Sequence, residues 1–166
     1  LGAIVLECTN MIPYAADIRH ATGLPTYSIE SFVTWFQSGL RPRRYPAPEA
    51  RQAVAVDATH FYAITNRRIG KYEKATGRKV AEWQDAEGGP FIHLNSGVVI
   101  DGALYAAHSN YPGVPMVSSI EIFDTATLQH VGSHSFGFGH GSATWIDTRE
   151  GAWWVAFAHY AGKGGE

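Results

Sequence analysis

The chain has 166 residues, 45% of them hydrophobic and 17% charged, and a formal net charge of −2. This composition can bury a core and excludes a disordered chain. The near-neutral charge gives no electrostatic basis for binding nucleic acid or an anionic membrane. The single cysteine, Cys8, excludes an intramolecular disulfide. No apolar run reaches the roughly 18–20 residues that a membrane-spanning helix needs.

In chain order, Gly2 to Leu6 is a short apolar run that predicts a buried parallel strand. It leads into Glu7-Cys8-Thr9-Asn10. Pro13 suits a first helical turn, Tyr14 to Thr22 has helical spacing, and Gly23 supplies the stop. A brief extended piece, Pro25 to Ile29, precedes a second predicted helix from Ser31 to Leu40, with Phe32, Trp35 and Phe36 on one face. The segment 41–50 holds three prolines and reads as a linker, which also accounts for Arg41, Arg43 and Arg44 without a binding patch.

After the linker the pattern becomes all-β and repeats. Short strand-like runs that end in Asp57, Asp101 and Asp147 lie 44 and 46 residues apart. Each such Asp is expected to cap a tight turn into the next strand. Four strands in each period of this length point to β-propeller blades. The predicted fold is therefore an α/β fragment (strand–helix–strand–helix, residues 1–40), a linker (41–50) and roughly two and a half propeller blades (51–166). Leu1 falls directly into a strand-like run and the last residues are a glycine-rich tail. Both ends suggest a piece of a longer protein. Unpaired blade edges would leave such a piece marginally stable.

Cys8 is the sharpest chemical feature. It follows a strand and precedes a helix, and a helix N-terminus stabilises a thiolate. A small buried hydrophobe is the competing reading. The stretches "GAIVLECTNM", "YAADIRHATGLPTYSI" and "FVTWFQSGL" in residues 1–40 resemble the C-terminal part of the aspartate/glutamate/hydantoin racemase superfamily. The resemblance implies a pseudo-symmetric α/β enzyme without pyridoxal phosphate. It implies two cysteines that work on opposite faces of a substrate carbon, one removing the α-proton and the other delivering one. By resemblance Cys8 is the second of these cysteines, and Thr9 and Asn10 bind the carboxylate of an amino acid or related acid. The first cysteine is missing from the chain, so no inversion is expected from it alone. A cytoplasmic setting is favoured for this part.

The β segment offers histidines in place of a nucleophile. His93 stands eight residues before Asp101 and His140 seven before Asp147, with His108 and His159 nearby. Imidazoles converging on a channel would hold a divalent metal; hydrogen-bonded turn histidines are the competing reading. Two further accounts of the chain stand beside the racemase one. The β segment is a ligand- or protein-binding module whose ligand is unknown, or the chain is a fusion of two truncated reading frames.

Overall fold

The computed structural model describes residues 2–6, 9–39 and 43–160, without the side chains of Thr9, Asn10 and Met11. The chain divides into two compact units, Leu1–Arg44 and Tyr45–Glu166.

In the first unit β1 (Ile4–Leu6) pairs in parallel with β2 (Thr26–Ser28), Leu6 standing level with Ser28. Between them run a 3₁₀ helix (Thr9–Tyr14) and α1 (Ala15–Thr22). Gly23 stops α1 at a φ of 67°, where its N–H bonds the carbonyl of Arg19 at 2.9 Å. Helix α2 (Ile29–Ser38) follows β2 directly. Ser28 and Ser31 form its capping box: Ser28 Oγ accepts from the N–H of Ser31 at 3.2 Å, and Ser31 Oγ from the N–H of Ser28 at 2.7 Å. Neither helix contains a buried residue. Phe32, Trp35 and Phe36 are all more than half exposed, so the predicted apolar face exists but finds no covering layer among the described residues.

The second unit is built from antiparallel meanders. Strands β3 (Ala53–Val56), β4 (His60–Thr65), β5 (Arg68–Glu73) and β6 (Lys79–Gln84) form one sheet. Strands β7 (His93–Ile100), β8 (Ala103–Ser109), β9 (Val117–Asp124) and β10 (His130–Phe138) form the next. Strands β11 (Ser142–Arg149) and β12 (Ala152–Ala158) make a two-stranded hairpin. One core cluster joins the two four-stranded sheets through Ile64, Ile69, Leu94, Leu104 and Phe123, with Trp83 packed on it. A second joins β8 and β9 to the hairpin through Ala107, Ile120, Ala143 and Ile146. The alternation of apolar and polar residues in these strands puts one set of side chains into each cluster.

The expected fold class is overturned. The described chain is mostly β, arranged in four separate sheets of two to four strands, none of them closed. Its helical part is two short α-helices and a 3₁₀ helix on a two-stranded sheet. The sequence period reports the length of one meander, and carries no information on how successive sheets are arranged. The three aspartates also differ. Asp57 caps its turn, accepting from the N–H groups of Thr59 and His60 at 2.7 and 2.6 Å. Asp101 instead adopts a positive φ of 47° beside Gly102 at 81°, so its turn is made by backbone conformation. Asp147 lies inside β11, and the turn falls at Glu150-Gly151.

The boundary between the units lies within the proline-rich segment, and the residues after it belong to the β unit. Tyr45 stacks on Phe61, its hydroxyl bonding the carbonyl of Lys74 at 2.8 Å. Glu49 is buried and accepts from Tyr72 Oη at 2.5 Å and Lys79 Nζ at 2.6 Å.

Candidate functional site

Cys8 lies outside the described residues. Thr9 and Asn10 open the 3₁₀ helix, and their side chains are likewise outside the described set. The surrounding backbone is defined. In the parallel pair, the carboxyl ends of β1 and β2 point the same way, and Leu6 and Ser28 mark that end. The chain leaves β1 there towards Thr9, and α2 starts there from Ser28. Two hollows flank this end of the unit. One, of about 810 Å³, is lined by Val5, Tyr27, Ile29, Phe32 and Trp35 and is almost wholly apolar. The other, of about 480 Å³, is lined in part by Arg19, Ser28, Glu30 and Ser31.

His93 and His140 stand in aromatic surroundings. His93 opens β7, its ring 5.3 Å from that of Tyr111, and burial pushes its pKa below the usual imidazole value. His140 lies in the bend before β11, its ring 5.5 Å from Phe157 and 6.4 Å from Phe136. Among the described residues no three of His, Cys, Asp and Glu come together as a metal-ligand set.

A polar cluster that the histidine spacing does not reveal sits on β8, β9 and β10. Glu121 is buried, and its Oε1 accepts from Ser119 Oγ at 2.5 Å and Ser133 Oγ at 3.0 Å. His130 Nε2 lies 2.8 Å from Oε2. The N–H of Ile92 donates to His108 Nε2 at 3.1 Å, which leaves the proton on Nδ1, 3.0 Å from Ser119 Oγ. Burial lowers the pKa of His108, opposed by the Glu121 charge. Protons therefore point from His108 to Ser119 and from Ser119 to Glu121. A nucleophilic serine needs the reverse order, with its own proton directed at the imidazole. The cluster satisfies a buried carboxylate and does not activate the hydroxyl. The signal in the sequence is Glu121 itself, which alternates with Ile120 and Ile122 and so shares a face with Phe123.

No protein-family profile matches the chain, and no curated protein matches it. Among solved structures it is similar to the computationally designed Ika4 protein at 12% identity and a TM-score of 0.33, covering 73% of this chain and 96% of that one. The computationally designed Ika8 protein gives 11% identity and the same TM-score, with 63% and 42% covered. Likeness at this level carries no argument about fold or function.

Proposed function

We propose that residues 1–40 form one half of a cofactor-independent, two-thiol racemase-type site for an amino acid or related acid, and that this chain alone does not invert its substrate. The observation that supports it is the common carboxyl end of β1 and β2, from which the chain passes through Cys8 to Thr9 and at which α2 begins. In open sheets of parallel strands this end is where ligands bind. Helix N-termini offer free backbone N–H groups to a carboxylate and stabilise a thiolate. A single thiolate can take the α-proton on one face as S–H and return a proton to the same face. Inversion needs a second acid on the opposite face, and the chain contains one cysteine.

The test is incubation of each enantiomer of aspartate and glutamate in D₂O, with proton NMR of the α-hydrogen and chiral analysis of the product. The expected result is deuterium exchange into one enantiomer with retained configuration, lost in Cys8→Ala. Inversion by the chain alone would overturn the half-site reading. Exchange no faster than with Cys8→Ala, for every enantiomer, would overturn the assigned chemistry.

A further inference from the structure

The crossing from the first four-stranded sheet to the second, residues 85–92, is fastened at both ends to the turn at Asn66 and Arg67. The N–H of Asp85 donates to the carbonyl of Arg67 at 3.0 Å, and the N–H of Leu94 to the carbonyl of Asn66 at 3.0 Å. Neither bond contains a group that titrates. Between these anchors the crossing closes on itself. Asp85 Oδ2 accepts from the N–H of Phe91 at 3.2 Å and from Arg67 at 2.8 Å, and Arg67 also donates to the carbonyl of Ala86 at 2.6 Å.

The polar tie from the crossing to the second sheet is the bond from the N–H of Ile92 to His108 Nε2 at 3.1 Å. Beside it the buried ring of Phe91 packs 4.8 Å from Trp83, 5.7 Å from His108 and 5.1 Å from His130. A backbone N–H has a fixed proton, so Nε2 accepts from Ile92 only while it carries none itself. A second proton on His108 goes to Nε2, sets two donors against each other and leaves Ile92 without its acceptor. His130 differs. Its Nε2 lies 2.8 Å from Glu121 Oε2, a bond that the ring can donate whether neutral or charged. The groups that face His108 are Glu121 on β9, 3.7 Å from Nδ1, His130 on the other oxygen of Glu121, His93 on β7, and Asp85 of the crossing. Burial, the largest effect, lowers the pKa of His108; the Glu121 and Asp85 charges oppose it and a charged His93 adds to it.

We propose that residues 85–92 are an acid-released flap, latched by the bond from Ile92 to neutral His108. Protonation of His108 frees the latch and Phe91 leaves its place against Trp83, while the anchors on Asn66 and Arg67 hold the two ends of the crossing. This is a local opening and not an unfolding of the sheets. In the open flap His108 is solvated and regains the ordinary value of 6.5, above its value in the latched form. The latch is therefore at full strength above pH 6.5 and weakens as pH falls below it, by roughly tenfold per pH unit until the latched value is reached.

The test is NMR of the ¹⁵N-labelled full chain. Long-range ring spectra at about pH 8 should show His108 as the Nδ1–H tautomer. Between about pH 7.5 and 5, amide protection corrected for intrinsic exchange should fall at least tenfold at Phe91 and Ile92, in step with the His108 ring, and stay unchanged at Leu94 and along β8. His108→Gln, whose amide oxygen can stand in for Nε2 without titrating, should abolish the step, and His130→Gln should keep it. An Nε2–H tautomer at pH 8 would overturn the proposal, as would Ile92 protection that does not follow the His108 ring, or a step that persists in His108→Gln. Equal loss of protection at Leu94 and in β8 would overturn it in favour of general acid unfolding. Should His108→Gln fail to fold, the comparison of Ile92 with the His108 ring in the native chain decides alone.

Discussion

Glu49 is the residue whose loss should be felt most for its size. Burial alone would raise its carboxyl pKa, yet the hydrogen bonds from Lys79 and Tyr72 hold it at about 2, against an ordinary value of 4.5. At about 1.4 kcal/mol per pKa unit, that difference corresponds to about 3 kcal/mol of stability tied to the ionised form. Glu49→Gln keeps the shape, removes the charge and turns an amide N–H₂ towards the ammonium of Lys79. For a unit of this size the melting temperature at pH 7 should fall by about 12 °C. A carboxylate with a depressed pKa stabilises the fold fully above its unfolded value and loses that effect as pH falls through the folded value. The gap between the native chain and Glu49→Gln should therefore be constant from pH 7 to about pH 5 and close between pH 4.5 and about 2. Asp57, also held at about 2, titrates in both chains, so the difference isolates Glu49. Urea unfolding followed by tryptophan fluorescence, repeated across this range, measures it. A gap below about 1 kcal/mol at pH 7, or one that does not narrow in acid, would refute the reasoning.

Three further outcomes are expected. Gly77→Ala should destabilise the β unit by about 2 kcal/mol, since Gly77 has a φ of 74° and an added Cβ would meet the Tyr45 ring at 1.9 Å; differential scanning calorimetry reads this. Trp83→Ala should cost about 3–4 kcal/mol in urea unfolding, because Trp83 packs edge-on to both Phe91 and Phe123. Glu121→Ala should cost about 2–3 kcal/mol by leaving Ser119 and His130 without their acceptor, and a double-mutant cycle with His130→Ala should show coupling.

What is legible in the sequence is local. The turn residues and alternating runs place His60–Thr65, Arg68–Glu73 and Ala152–Ala158 to within a residue or two, and Gly23 marks the end of α1. What is not legible depends on chain segments meeting. Glu49 lies among prolines, where composition says linker, and its burial is decided by Tyr72 and Lys79, 23 and 30 residues further on. Glu121 meets His130 and His108 because the meander sets β8, β9 and β10 side by side, a relation that no spacing of histidines encodes. His93 and His140 stand at similar distances before two aspartates, but Asp101 and Asp147 play different backbone roles, so the matched spacing does not bring the two rings to equivalent places. The repeat period measures the length of a sheet and says nothing of closure, and the expected propeller fails for that reason.

Apolar contacts between the hairpin and its neighbouring sheet, such as those of Ile120 with Ile146, tolerate sliding, since one methyl group replaces another at little cost. Polar contacts run along the β11 side instead, among them a hydrogen bond between Ser109 Oγ and Ser142 Oγ at 2.7 Å. Asn95 donates to the carbonyl of Ala143 at 2.8 Å, and the N–H of Ile146 donates to Ser96 Oγ at 3.0 Å. Ser118 Oγ donates to the carbonyl of Gly141 at 2.7 Å and accepts from the N–H of Ala143 at 2.9 Å. Together they act like the teeth of a vernier. A slip of one residue would break these contacts at once, so the hairpin has a single seating along its neighbour, fixed from the β11 flank.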